Sequence, residues 1–319
     1  VKYVSATLTT DLTRSMLDNN FVNGPNPKRM ASQSVLAVQY KDSRFTATGS
    51  LLGTYITDKI EQGEKPADKK RLSPAVSLSW RPFPESTLRV RASYKDIFRV
   101  PTFTDLYYLR MGNTNLKPEE TSQYNVGVTW SASCGDWLRH FSISADGYYN
   151  TVKDKIVALP TMYIWRMMNL GKVEIKGADL NLSAQLPLPL KMELLLASTY
   201  SYQYAVDITD PEAKNYKDQI PYTPRHSGTV SVSLENPWVN VSYILTAVGD
   251  RYALPQNIDR NRIDSYMEQS ISLNKDFRFR HFGLRLQGEL LNLANVNYDV
   301  IQYYPMPGRS WRLSVCLSY

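Results

Sequence analysis

The chain has 319 residues, 37 Lys+Arg against 30 Asp+Glu, a net charge of +7 and a pI near 9.1. Its 43% hydrophobic content is too high for a disordered chain, and its 2 cysteines, Cys134 and Cys316, lack the spacing of a disulfide framework or a zinc site. A mean hydropathy of −0.37 and the lack of any apolar run near ~18 residues exclude spanning helices, leaving a soluble globule or a β-barrel that dilutes its apolar residues by alternation.

The sequence opens at Val1 without a basic-then-apolar leader, which predicts a processed chain or a fragment. The basic excess contains no basic helix or recognition motif. It predicts solvated loops and no nucleic-acid partner.

In chain order, alternating runs predict fourteen strands, near 1–10, 29–41, 44–58, 72–82, 86–97, 118–131, 137–152, 164–186, 190–205, 224–236, 238–250, 263–275, 281–292 and 309–319. Thr87–Tyr94 places Leu88, Val90, Ala92 and Tyr94 on one face and Thr87, Arg89, Arg91 and Ser93 on the other. The last run alternates from Trp311 to Tyr319. In the run over 164–186 the phase changes after Ile175, which predicts a bulge near Gly177. Most runs have the 9 or so residues a tilted strand needs to cross a bilayer, more than the ~5–6 of a soluble sandwich.

The connections alternate too. Tight joints are expected at 41–43, 83–86, 133–136, 186–189, 235–237 and 276–280, and long polar loops at 11–28, 59–71, 98–117, 153–163, 206–223, 251–262 and 293–308. Short turns at one end and long loops at the other predict an all-β, transmembrane antiparallel β-barrel with periplasmic turns and extracellular loops. A lipid-facing Lys or Arg at the midplane costs ~2–4 kcal/mol, so Arg89, Arg91, Asp146, Asp179, Glu193, Arg285 and Glu289 are expected to point inward. Trp80, Tyr94, Trp130 and Tyr149 suit interfacial aromatic girdles.

Several segments carry a family resemblance. Phe98-Arg99-Val100-Pro101, followed by Asn113-Thr114-Asn115-Leu116-Lys117-Pro118-Glu119, resembles the Phe-Arg-Ala-Pro and Asn-Pro-Asn-Leu segments of TonB-dependent outer-membrane receptors, with departures at Val100 and Thr114. Asn169-Leu170-Gly171 with Lys176-Gly177-Ala178-Asp179 is similar to that family's long strand. Leu290-Leu291-Asn292-Leu293, Asn297-Tyr298, Pro307-Gly308-Arg309 and the terminal Tyr319 resemble its closing hairpin, so the likeness covers about 72–319. It implies a 22-stranded barrel around a plug, of which 1–319 would be the C-terminal portion, without the plug and without eight strands.

The resemblance also implies partners: the TonB complex through an N-terminal plug, the remaining barrel strands, outer-membrane lipid and lipopolysaccharide, the barrel-assembly machinery and a surface lipoprotein. The assembly signal would be Trp311, Leu313, Val315, Leu317 and Tyr319. The implied function is active uptake of a scarce ligand such as an iron-siderophore, haem, a corrinoid or a glycan at the Gram-negative outer membrane. The competing readings are a passive fourteen-stranded porin and a non-transporting surface barrel. A porin requires the first strand to pair with the last.

No catalytic constellation is visible, and neither a metal site nor a cofactor is expected. His140, His226 and His281 lie far apart without a nucleophile elbow or a phosphate loop. The run Asp207–Glu212 lacks the spacing of a calcium loop and reads as a solvated acidic loop. Haem-importing relatives carry a histidine between the two quoted segments, and 102–112 has none. The ligand-binding candidates are aromatics mixed with cations: Tyr107, Tyr108 and Arg110; Tyr163, Trp165 and Arg166; Arg251 and Tyr252; Tyr298, Tyr303 and Tyr304. Lys59, Lys65, Lys69, Lys70 and Arg71 form a basic run suited to lipopolysaccharide or simply to solvent.

Overall fold

The computed structural model describes residues 3–18, 26–61, 66–160 and 163–318. Val1, Lys65 and Tyr319, named above, lie outside the described residues. The elements in order are β1 (Tyr3–Met16), β2 (Lys28–Lys41), β3 (Phe45–Lys59), β4 (Lys69–Trp80), β5 (Arg89–Arg99), α1 (Phe103–Tyr107), β6 (Glu119–Cys134), β7 (Leu138–Pro160), β8 (Trp165–Leu188), β9 (Met192–Asp207), β10 (His226–Glu235), β11 (Asn240–Val248), β12 (Arg251–Tyr252), β13 (Arg262–Ile263), β14 (Tyr266–Arg278), β15 (Gly283–Leu291), β16 (Asp299–Ile301), β17 (Tyr304–Pro305) and β18 (Ser310–Ser318). Fourteen of these strands, all but β12, β13, β16 and β17, form one antiparallel sheet in chain order. Each of the fourteen predicted runs has its strand. Among the described residues β1 is laddered to β2 and β18 to β15, each along one edge.

The chain divides into two compact units, one of residues 1–126, 148–175 and 206–217 and the other of 127–147, 176–205 and 218–319. In the first, the register aligns Ala6, Val38, Gly49, Val76 and Tyr94 at one level and Val4, Tyr40, Ala47, Leu78 and Ala92 at the next on the same face. The opposite face carries Ser5, Gln39, Thr48, Ser77 and Ser93, with Arg91 beside Ser79. The apolar face is open, with Leu8 72% and Leu12 76% exposed, which suits a hydrocarbon solvent rather than water. Tyr94, Tyr124 and Tyr149 line up along it, with centroids 4.9 and 6.4 Å apart.

In the second unit, Leu194, Leu234, Val241, Leu273, Gly288 and Leu313 share one level of the apolar face. The polar face carries Ser233, Ser242, Ser272, Glu289 and Arg312. Arg312 donates to Glu289, Arg285 to Asp276 at 2.6 Å, and Ser201 Oγ to Asp179, so charges on this face are paired. The whole described part of the expected assembly signal, Trp311, Leu313, Val315 and Leu317, lies on the apolar face and is exposed. Along β8 the even positions Lys172, Lys176, Ala178 and Leu180 are exposed and Val173 is fully buried, so one alternation runs through Gly177 and the expected change of phase does not occur: only the residue types change face.

Several boundaries differ from expectation. β1 continues to Met16 and β7 to Pro160, through stretches read as loops. Beyond the hydrocarbon both faces of a strand meet water, so alternation fades while the ladder persists. The joint expected at 186–189 falls instead at Leu190 and Lys191, whose φ values of 62° and 58° make a primed turn from residues that rarely adopt it. The joint expected at 276–280 moves to Phe279–Phe282, closed by a 2.9 Å backbone bond and two stacked rings. The loop at 98–117 contains α1, whose Thr102–Asp105 capping box is reciprocal, and the last two long loops contain the hairpins β12–β13 and β16–β17.

Candidate functional site

In the first unit, the segments behind the family resemblance hold the 98–117 loop to its own strands. Arg29 bonds Asp58 twice at 2.7 Å, donates to the Pro101 carbonyl at 2.8 Å and lies 5.0 Å from the Phe103 ring centroid. Arg99 pairs with Asp105 and Glu119, both at 3.2 Å, and Glu119 accepts from the Ile156 amide at 2.6 Å. Asn113 donates to the Met167 carbonyl at 3.0 Å, and Asn169 exchanges bonds with Lys117 while donating to the Asp154 carbonyl. Leu106, Leu116 and Ile156 form the small core beneath, packed by Tyr107 and Met167. Burial and the nearby Asp58 raise the Tyr107 hydroxyl above its usual pKa.

Two glycines are needed here. A Cβ on Gly112 would lie 2.6 Å from the Leu106 carbonyl oxygen, and one on Gly171 would lie 2.4 Å from Thr209 Cγ2. Thr209 bonds the Lys172 amide and the Asp207 carboxylate, and Asn215 donates to the same carboxylate. Asp210 and Glu212 are exposed, as expected of a solvated acidic loop, and Asp207 alone departs from that expectation. Asp207 is buried because its oxygens cap the loop's own turn. Among the described residues no His/Cys/Asp/Glu group could hold a metal ion. The basic run is partly engaged: Arg71 pairs with Asp96 and Glu120, and Lys70 sits over Tyr55. Nearby, the bonds from Lys28 and Asn26 lower the pKa of the Glu61 carboxylate.

Of the candidates in this unit, Tyr107 belongs to the small core, whereas Tyr108 is 58% and Tyr163 88% exposed. Arg110 is exposed at the loop tip with φ 65°. Trp165 and Arg166 open β8, Trp165 half-buried and Arg166 exposed.

The second unit brings the remaining candidates together. Arg251, only 3% exposed, donates to the carbonyls of Asp264, Asp299 and Val300 and lies 5.5 Å from the Tyr266 ring centroid. Tyr266 stacks on Tyr298 at 4.0 Å and 14°, and the Tyr298 hydroxyl donates to Glu268 at 2.6 Å. Burial first, then Glu268, raises the Tyr298 pKa well above the usual tyrosine range. Tyr252 accepts the Tyr222 amide at its carbonyl, and burial raises the Tyr222 hydroxyl. Asn292, 2% exposed, bonds Val296 and Pro307, while Asn295 accepts the Arg309 amide. The motifs read as a closing hairpin thus brace the loop between β15 and β18.

On this braced frame sits a cleft of about 260 Å³ lined by Arg262, Asp264, Asn297, Asp299, Gln302 and Tyr303, with Tyr298 in its wall. Arg262 is held by Asp250 at 3.1 Å and Asp264 at 3.4 Å, so the lining carries no surplus of positive charge. Tyr303 and Tyr304 are 79% and 66% exposed. The candidates read from the sequence did not include Arg262, Asp264, Asn297 or Gln302. Adjacency to Tyr298 and Tyr303 in the loop expected at 293–308 was the signal for Asn297 and Gln302, and Arg262 closes the loop expected at 251–262, whereas Asp264 falls in a run expected as strand.

The TonB dependent receptor-like, beta-barrel family model matches residues 16–293. The chain is 28% identical over 233 residues to the vitamin B12 transporter BtuB of Photobacterium profundum and 24% over 225 to that of Vibrio vulnificus, covering 71% and 68% of this chain and 34% and 33% of those proteins. It resembles the solved structures of the copper transporter OprC, with a TM-score of 0.73 and 15% identity, and of the unliganded ferric citrate transporter FecA, with 0.71 and 13%. Those matches cover 100% and 99% of this chain but 53% and 51% of the two structures, so the chain spans about a third to a half of the proteins it resembles. The chain belongs to the TonB-dependent receptors, β-barrel proteins of the Gram-negative outer membrane.

Proposed function

We propose that the chain supplies barrel wall and ligand-binding outer loops to an active importer, as the C-terminal portion of a TonB-dependent receptor, and that its ligand is a corrinoid. The observation that carries the ligand class is the loop cleft in the second unit, which presents amides and tyrosines without a free cation. A bulky ligand bearing many amide groups matches Asn297, Gln302 and Tyr303. A multiply anionic ferric chelate would call for unpaired Arg or Lys. Two relatives that match 71% and 68% of this chain are named as vitamin B12 transporters, which supports the same class. Release of bound ligand would draw on TonB through a plug, and insertion on the barrel-assembly machinery reading the apolar face of β18.

The test is equilibrium binding of cyanocobalamin and of a ferric siderophore to the intact receptor in detergent. Cyanocobalamin should bind saturably, and Tyr303→Ala should weaken it about tenfold or more while leaving the folded, heat-modifiable band unchanged. Binding of the ferric siderophore with no response to cyanocobalamin would overturn the ligand class.

A further inference from the structure

One carboxylate of the loop cleft is held out from the frame beneath it. Asp264 follows Ile263, which is 5% exposed and laddered to Arg251 in the β12–β13 hairpin. The Asp264 carbonyl accepts from Arg251 at 3.4 Å, and Asp250 Oδ1 accepts the next amide, that of Ser265, at 2.8 Å. The backbone is thus fixed on both sides of Asp264, and its side chain is turned outward, 87% exposed. Its contact with Arg262 spans 3.4 Å, longer than the ~2.7–2.9 Å of a charge-assisted hydrogen bond, and Arg262 lies nearer to Asp250, at 3.1 Å. From the other loop Asp299 lines the same cleft, but its Oδ2 already accepts the Tyr303 amide at 2.9 Å. The charged residues lining the cleft are Arg262, Asp264 and Asp299, so carboxylates outnumber the cation.

A carboxylate accepts hydrogen bonds and donates none. It therefore bonds the NH2 of a primary amide, whereas a ligand carboxylate offers it no proton and brings a like charge against it. An amide and its acid are nearly the same shape, so packing alone separates them poorly. A carboxylate fixed in the wall separates them by repulsion. Asn297 and Tyr303, in the same lining, carry both a donor and an acceptor and can bond either group. The choice between amide and acid falls to Asp264.

We propose that Asp264 is a specificity-determining residue of the cleft, admitting the amide arms of a corrinoid and rejecting the corresponding carboxylic acids. The assignment rests on the ligand being a corrinoid. The experiment is equilibrium binding of cyanocobalamin, and of each of its separated monocarboxylic acids made by mild hydrolysis of the propionamide arms, to the intact receptor in detergent. At least one acid should bind about tenfold more weakly than cyanocobalamin. In Asp264→Asn, which keeps the size and removes the charge, that ratio should fall to about twofold or less. In the unaltered receptor the ratio should also shrink in ~1 M salt, where the screening length is ~3 Å, a response that a difference in packing would not give. Acids that all bind as well as cyanocobalamin, or a deficit that Asp264→Asn leaves unchanged or that salt does not reduce, would overturn the proposal and leave the corrinoid reading standing. An intact receptor that does not bind cyanocobalamin at all would remove that reading, and the proposal with it.

Discussion

The loop over 98–117 and the loops flanking the cleft are built from similar residue types and use them in opposite ways. In the first unit the charges and amides of the family-like motifs turn inward and bind the chain to itself, as Arg29 does to Asp58 and Asn169 to Lys117. In the second unit Arg251 and Asn292 do the same work, which leaves Tyr303 and Asn297 exposed at the cleft, with Gln302 donating to the Arg260 carbonyl beside them. Residues of the family-like motifs thus set where the loops stand, whereas Tyr303 and Gln302, outside those motifs, line the cleft.

That contrast can be broken by experiment. Removing one partner of the part-buried Arg29–Asp58 pair by Arg29→Ala should strand a charge and cost ~3–5 kcal/mol, read as a lower unfolding temperature and faster proteolysis within 98–117. Gly171→Ala should cost ~1–3 kcal/mol by overpacking against Thr209, and Thr209→Ser, which removes the methyl it meets, should restore part of the loss in the double variant. Tyr298→Phe should cost ~1 kcal/mol by loss of the Glu268 bond. Because the folded Tyr298 pKa is raised, its contribution is complete below the unfolded value near 10 and declines as pH rises beyond it. The phenylalanine variant should lose that alkaline slope in stability.

The strands were legible because each buries or exposes alternate residues in one solvent, and the register confirms the faces of Arg91, Glu193 and Arg285. The turn at Leu190–Lys191 was not legible, since positive φ in such residues has no local sequence signal and Pro187 and Pro189 drew the joint to themselves. The hairpins β12–β13 and β16–β17 pair only two or three residues a side, too few for any period. Tyr303 was found as a loop aromatic. That Arg251 would be buried could not be seen, because the carbonyls that hold it lie 13 to 49 residues along the chain.

Arg251 has a consequence for the timing of recognition. A permanently charged fork inserted among the carbonyls of 264, 299 and 300 couples the two loops on either side of the cleft, so neither can swing without stranding it. The entropy of ordering those backbones is lost during folding rather than on ligand arrival. On the proposed function, an incoming ligand would have the exposed Tyr303 side chain left to immobilise, since Gln302 is already bonded to the Arg260 carbonyl, and more of its contact energy would survive as affinity.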